Sequence, residues 1–217
     1  HRQTPSGRLR INAAAPFMLH AIVPWVGEFR QLYPDIQLEL NTDDLIIDLL
    51  EQSTDIAIRI GTLSDSTLHA RSLGCSPLHI VASPAYLERH GTPKVVEDLS
   101  GHALLGFTHN DGLNQWPLRY VHGDRWPIQA SISASSGETI RHLALQGQGI
   151  ASLSHYMTID DIRAGRLKVV LADFNSGYRQ PINAVYYRNS QLALRIQCFL
   201  DFIQSKLAAY ASADFKG

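Results

Sequence analysis

Three short segments decide the fold, and they read RLRIN (8–12), IQLEL (36–40) and DIAIRIG (55–61). Each carries apolar side chains in the pattern of a β-strand. A helix is expected within residues 17–34, where apolar residues recur every three or four positions and Pro24 marks its regular start or a kink. A second helix is expected at residues 45–52. This order indicates two βαβ units, so the three strands should be parallel.

The remaining chain adds a second α/β unit. A short helix after Ser83 should close at Gly91, and a helical turn should follow at residues 96–101. Longer helices are expected at residues 137–147 and 192–207. Strands are predicted at residues 68–74, 77–83, 103–109, 116–122, 126–134, 150–154 and 182–188.

Composition narrows the class of protein. The chain has 217 residues, of which 45% are hydrophobic and 18% charged, and its net charge is -1, so it lacks the cationic excess that grips nucleic acid. Its two cysteines, Cys75 and Cys198, form no metal-binding or disulfide pattern, which favours a reducing compartment. No apolar run is long enough for a transmembrane helix, so we expect no membrane contact and a cytoplasmic location. The first residue, His1, indicates an excised or processed chain.

No motif predicts catalysis, a cofactor or a metal. The stretch ASSGETIRHLALQGQGIA (134–151) lacks the lysine of a P-loop, and its GQG follows a helix where a dinucleotide fingerprint would precede one. A G-x-S-x-G elbow is absent. Histidines and acids occur without metal-site spacing, and acids such as Asp160 and Asp161 are interpreted as surface or capping residues. We predict no catalytic residue, no cofactor and no metal ligand.

One charge stands out because Arg59 interrupts an otherwise apolar strand. A structural ion pair and a ligand contact both remain open for it, and the ion pair is favoured because buried cations are normally paired.

Three loops follow strands and open helices, at residues 14–17, 42–44 and 135–138. Each could simply cap its helix. Because the carboxyl ends of strands border the ligand crevice in open α/β sheets, the three together favour a shared cleft that receives a polar or anionic group.

A set of segments in fixed order resembles the effector-binding domain of LysR-type transcriptional regulators. The segments are GRLRINAAAPF, IVPWVGEFRQLYPDIQLEL, DIAIRIGTLSDSTLHARSLG, ASPAYLERHGTPKVVEDLSGH and LALQGQGIASL, followed by the late AVYY strand and the terminal helix. The likeness spans roughly residues 7–207. It implies an α/β fold of two Rossmann-like subdomains joined by two crossover strands, similar to type II periplasmic binding proteins.

The resemblance also implies boundaries. Regulatory subdomain I would comprise residues 7–81 plus 186–217, and subdomain II residues 82–185, with crossovers near residues 80–83 and 184–187. The N-terminal winged helix-turn-helix of the family is absent from this chain, so DNA would be contacted only through that missing domain.

The effector site implied by the family is a cleft between the subdomains, and its occupant is expected to be a small organic molecule, polar or weakly acidic. Effector binding would change the relative position of the lobes and so control transcription. The residues implied to bind the effector are Ala15, Pro16, Phe17, Thr42, Asp43, Ile60, Gly61, Thr62, Phe107, Thr108, His109, Ser135, Ser136 and Gly137.

Family domains commonly pair through the first long helix and second strand, here residues 22–33 and 36–41, and the alternative is that the apolar stripe of this helix lies wholly inside the domain. A homodimer is therefore expected, with a tetramer for the full-length protein. The alternative from a different class is a periplasmic solute-binding protein that delivers its ligand to a transporter, since it shares the same architecture.

Overall fold

The computed structural model describes residues 4–42, 54–61, 69–186 and 193–212, with side chains up to residue 209. The predicted helix at residues 45–52 lies outside these ranges. The chain divides into two compact units: unit 1 comprises His1–Ser76 and Gln180–Lys216, and unit 2 comprises Pro77–Arg179. The boundaries drawn from the sequence lie about five residues further along the chain.

Unit 1 is built on the three predicted strands: β1 (Gly7–Ala13), β2 (Ile36–Asn41) and β3 (Ile56–Ile60). The central strand β1 pairs in parallel with both neighbours, which confirms the predicted parallel arrangement of the three strands. The late strand β11 (Arg179–Tyr186) pairs antiparallel with β3, and β2 is the edge strand of the sheet.

The first helical segment runs from Ala15 to Leu32 but is regular only at its ends, α1 (Ala15–Phe17) and α2 (Val26–Leu32). Between them lie a π turn (Met18–Ile22) and a 3₁₀ turn (Val23–Trp25). Pro24 lies in the 3₁₀ turn, where its missing N–H and its ring disrupt the regular helical ladder. The irregularity predicted at this proline is confirmed.

The core of unit 1 forms where α2 meets the terminal helix α6 (Leu194–Ser212). The ring of Phe29 lies edge-on to Phe199 at a centroid distance of 5.4 Å and contacts Phe202 at 5.3 Å. On the surface, Lys206 and Glu28 form an ion pair between the same helices. The two helices are thereby packed together through aromatic burial.

A single 14-residue strand, β4 (His69–Ala82), replaces the two strands predicted at residues 68–74 and 77–83. The prediction was wrong because Gly74 and Pro77 look like a turn. Gly74 instead adopts a φ of +142°, which glycine tolerates, and the chain stays extended through it. The chain passes from unit 1 to unit 2 inside this strand, between Ser76 and Pro77, and returns at the start of β11.

In unit 2, β4 is flanked by two antiparallel strands. They are β9 (Ala151–Ser154), with Leu78 opposite Ser154, and β10 (Lys168–Val169), with Val81 opposite Val169. A separate parallel pair is formed by β5 (Leu105–Phe107) and β8 (Ile132–Ala134).

The long strands predicted at residues 116–122 and 126–134 are much shorter. β6 (Gln115–Trp116) pairs with β7 (Trp126–Pro127), and β8 is a separate paired part of residues 126–134. Pro117 and Pro127 have no N–H to extend the β6–β7 ladder. Trp116 and Leu118 are nonetheless fully buried, in a core cluster with Tyr86, Leu99 and Ile150.

The helices of unit 2 are α3 (Pro84–His90), α4 (Gly137–Leu145) and α5 (His155–Arg163). As predicted, α3 ends at Gly91, whose φ is +84°. The Oγ atom of Ser83 caps its start by accepting a hydrogen bond from Tyr86 N. Of the helices in the described ranges, none has the length and apolar character needed to cross a membrane.

Candidate functional site

The carboxyl ends of β1, β2 and β3 lie at one edge of the sheet in unit 1, because the three strands are parallel. Ala15 is half-buried after β1, whereas Pro16 and Phe17 are buried, so the ring of Phe17 is a core element. Thr42 is exposed after β2, and Ile60 and Gly61 are half-buried at the end of β3. Asp43 and Thr62 lie outside the described residues.

A buried amide holds an arginine at this edge. The Asn12 side chain is fully buried, and its Oδ1 atom accepts a hydrogen bond of 3.0 Å from Nη1 of Arg59. The same Nη1 donates to the carbonyl oxygen of Ile58 at 3.1 Å. Strand register places Asn41, Asn12, Arg59 and Asn183 on one face of the sheet. We had not singled out Asn12, although a polar residue near the end of a buried strand was a usable signal.

Two predicted site segments lie side by side in unit 2. Phe107 and Ala134 are register partners in the parallel β5–β8 pair, and Thr108 N donates to Ala134 O at 3.1 Å. Phe107–His109 therefore runs next to Ser135–Gly137. Thr108, His109 and Ser135 are exposed, Phe107 and Ser136 are half-buried, and Gly137 is buried.

Ser136 is the N-cap of α4. Its Oγ atom accepts a hydrogen bond of 3.2 Å from Glu138 N, and its backbone is extended. The capping role that we considered for this residue is therefore present. It does not exclude a ligand contact, because a hydroxyl that accepts through a lone pair still has its own O–H to donate.

The end of β5 is held in place by Asn114. Its Oδ1 atom accepts from Phe107 N and its Nδ2 atom donates to Phe107 O, both at 2.8 Å, as a neighbouring strand would do. A Cβ atom on Gly106 would lie 2.8 Å from Asn114 Oδ1, so this contact requires glycine. Sequence reasoning missed Asn114, since one asparagine in a turn-rich segment carries no distinctive signal.

A charge network lies behind the start of α4. Oε1 of Glu138 is 3.0 Å from Nη1 of Arg141 and 3.2 Å from Nε2 of His142. Arg141 also binds Asp161 of α5, with 2.7 Å between Nε and Oδ2. The interpretation of Asp161 as a surface or capping acid was wrong, because this residue is buried.

The network sets the ionisation of its buried acid. Burial by itself would raise the pKa of Asp161, but the hydrogen bonds and charges of Arg141 and Arg166 lower it overall. Asp161 is therefore a stable anion in the interior of unit 2, and Arg141 links it to Glu138 at the first turn of α4.

Across residues 4–42, 54–61, 69–186 and 193–212, no three His, Cys, Asp or Glu side chains are grouped to hold a metal ion. Cys75 and Cys198 are both free thiols.

The fold indicates the class of protein to which the chain belongs. A curled mixed sheet in two α/β units is the architecture of type II periplasmic-binding-protein-like regulatory domains. Residues 2–208 match the family model of the LysR substrate binding domain. The chain belongs to this family and is the effector-binding domain of a LysR-type transcriptional regulator.

Relatives support this assignment along the whole chain. The HTH-type transcriptional regulator CrgA of Neisseria meningitidis is 42% identical over 205 residues, which cover 94% of this chain and 69% of CrgA. Because these relatives are HTH-type transcriptional regulators, the chain is better explained as part of a regulator than as a periplasmic solute-binding protein of a transporter.

Solved structures agree with the sequence relatives. The regulatory domain of CrgA from Neisseria meningitidis has a TM-score of 0.89 and 42% identity, covering 94% of this chain and all of that one. The full-length virulence activator AphB from Vibrio cholerae has a TM-score of 0.76 and 29% identity, covering 94% of this chain and 69% of AphB.

Proposed function

We propose that this domain binds a small organic effector, polar or weakly acidic, and thereby controls an attached DNA-binding domain. The proposed binding residues follow the carboxyl ends of five strands, β1, β2, β3, β5 and β8. They are Ala15, Pro16, Phe17, Thr42, Asp43, Ile60, Gly61, Thr62, Phe107, Thr108, His109, Ser135, Ser136 and Gly137. In this set Phe17 contributes backbone and packing rather than an exposed ring.

The observation that carries the proposal is the pairing of β5 with β8. It places the exposed Thr108 and His109 beside Ser135 and Ser136, directly at the start of α4. Two hydroxyl-bearing segments and the first turn of a nine-residue helix thus converge on one patch of unit 2. Convergent polar groups of this kind orient a ligand.

The electrostatics of this patch favour a polar or weakly acidic ligand. The first N–H groups of a helix attract negative charge, by about 0.3–1 kcal/mol. Glu138 in the first turn opposes this attraction, but its carboxylate is paired with Arg141. The remaining preference for an anion is modest.

We expect the effector to leave the site chemically unchanged. The relatives are transcriptional regulators, and a regulator needs only that its ligand binds one conformational state more tightly than another. The DNA contact then belongs to the helix-turn-helix domain of the parent protein, which would act in the cytoplasm.

A second copy of the chain is the proposed partner of the α2–β2 surface. Leu32 of α2 is 56% exposed, Val23 in the preceding 3₁₀ turn is 48% exposed, and β2 is an edge strand. A groove of about 500 Å³ lies on this surface, lined by Val26, Arg30, Pro34, Asp35, Ile36, Gln37, Leu38 and Leu40. Exposed apolar side chains beside a free strand edge favour self-association. The full-length protein would combine such dimers into a tetramer.

Calorimetry with a panel of small carboxylic acids and neutral aromatic compounds tests the binding proposal. At least one compound should bind, and the S136F variant should weaken its binding by about tenfold or more, because a bulky ring blocks the patch. S100F, at an exposed serine of the 3₁₀ turn Val96–Gly101, is the matched control and should bind as the parent domain does. Conversion of any compound to product would contradict the proposal, and equal binding by S136F would place the site elsewhere.

A further inference from the structure

Two histidines face each other inside unit 2. His79 lies in β4, and His155 is the first residue of α5. Nε2 of His79 and Nδ1 of His155 are 2.9 Å apart, and the two ring centroids are separated by 5.1 Å. One ring donates its N–H and the other accepts it, so the pair fastens the start of α5 to β4.

Apolar side chains lie beside the pair, in which His79 is half-buried. His155 is only 6% exposed. Leu153 of β9 is the register partner of His79, and Val81 and Ala151 extend the same face of the sheet. A positive charge on either ring is therefore poorly solvated. Burial, and then the nearby His155, lower the pKa of His79 to about 4, while burial, and then Arg163, lower the pKa of His155.

Within the described residues, the charged groups of β10, β11 and α5 lie on the opposite face of the sheet, are paired with arginine or are exposed. Lys168 of β10 pairs with Ala82, so it projects from the face of the sheet opposite His79. Asp161 of α5 is bound by Arg141 and Arg166. The other charged residues of β10, β11 and α5 are exposed, and they are Asp160, Arg163 and Arg179.

The two protonation steps have different effects on the hydrogen bond. The first proton can occupy the outer nitrogen of the donor ring, which keeps the N–H···N bond but places a charge in the interior. A second proton must occupy the nitrogen that accepts the bond, and two N–H groups then face each other. Double protonation therefore removes the attraction and adds a repulsion between like charges.

We propose that the His79–His155 pair is an acid-sensitive clasp, which holds the start of α5 on β4 at neutral pH and opens on protonation of both rings. The device lies outside the proposed effector-binding loops and needs no effector. Because both pKa values are lowered in the folded state, the stability that the pair provides is fully present above about pH 6.5 and is lost as the pH falls toward 4. Acidification is thus a second signal, besides the effector, to which this regulatory domain responds.

Amide hydrogen exchange along α5 tests the clasp locally. After correction for the intrinsic pH dependence of exchange, protection at residues 155–163 should fall by about tenfold between about pH 7 and about pH 5 in the parent domain. The double variant H79Q/H155Q keeps polar side chains that stay neutral, so its corrected protection should be the same at both pH values. H122Q removes an exposed histidine elsewhere in unit 2 and should behave as the parent does. A parent-like pH response in H79Q/H155Q would overturn the proposal.

A titration of the parent domain by NMR needs no variant, so it applies even if H79Q/H155Q does not fold. The Cε1 protons of His79 and His155 should respond to each other's protonation, with both midpoints well below that of an unperturbed imidazole. Two independent single-step curves at the unperturbed value would overturn the clasp.

Discussion

The carboxylate of Asp161 accepts hydrogen bonds from both Nε and Nη2 of Arg141, at 2.7 and 3.0 Å. Arg166 adds a third bond of 2.8 Å from its Nε atom. The Asp161 side chain is only 1% exposed, so its charge is stable in the interior because two guanidinium groups surround it. This arrangement joins α4, which opens at the proposed effector patch, to α5.

Replacing Asp161 with asparagine should destabilise the domain strongly. We expect D161N to lower the free energy of unfolding by about 3 kcal/mol, because the half-buried Arg141 then lacks its anionic partner. Urea unfolding measures this change. D160N alters the exposed neighbouring acid and should change stability by less than about 0.5 kcal/mol. Equal stabilities for the two variants would contradict the role assigned to the pair.

The same pair predicts a specific pH dependence. The pKa of Asp161 lies below its ordinary value of 3.8 in the folded state. Its contribution to stability is therefore fully present above that value and is lost as the pH falls through the lower folded pKa. The stability difference between the parent domain and D161N should stay constant near neutral pH and shrink below about pH 4. A difference that grows on acidification would have the wrong sign.

Asn114 should matter for both stability and effector binding. We expect N114A to cost about 1–3 kcal/mol, because Phe107 loses hydrogen bonds at its N–H and its carbonyl. Effector affinity should fall as well, since the end of β5 loses the group that fixes it. Chemical unfolding and calorimetry report the two effects. Q115A changes the exposed neighbour and serves as the control.

Gly106 should not tolerate a methyl group. A Cβ atom there would lie 2.8 Å from Asn114 Oδ1 and 2.9 Å from Ala130 Cβ. We expect G106A to cost about 1–3 kcal/mol through overpacking. G101A is the matched control, because no atom lies within 4 Å of its added Cβ, and thermal unfolding should separate the two variants clearly. If G106A were as stable as G101A, β5 could shift away from Asn114 without a loss of stability, which would contradict the tight contact.

Self-association should depend on the α2–β2 surface. We expect L32E to weaken dimer formation by about tenfold or more, because it replaces an exposed apolar side chain of α2 with a charge. Analytical ultracentrifugation over a range of concentrations measures the effect. V121E changes a valine of unit 2 that is 83% exposed and should leave association unaltered. A dimer unaffected by L32E would require another interface.

Sequence patterns predicted the elements whose physical causes are local. Alternation in β1 and β2, the disruption at Pro24 and the glycine stop of α3 all depend on neighbours in sequence. The family resemblance then supplied the order of elements and the class of protein, which the chain's relatives confirm.

Distant contacts decided the features that sequence reasoning missed. Gly74 and Pro77 are residues typical of a turn, but the long strand β4 extends through both of them. Asp161 looks like a surface acid because the arginine that neutralises it lies 20 positions earlier, in another helix. Asn114 acts on a backbone seven positions away. None of these contacts produces a periodic pattern in the sequence from which it could be predicted.

Unit 1 is formed by two separate parts of the chain, and this affects how it folds during synthesis on the ribosome. Unit 2 is continuous from Pro77 to Arg179, whereas β3 gains its neighbour β11 only when residues 179–186 have been translated. At about 5–20 residues per second, the nascent chain therefore carries an unpaired edge of β3 for several seconds while unit 2 is being translated. Such an edge invites pairing with other chains, so chaperone dependence of this domain should arise in unit 1, although unit 1 begins first.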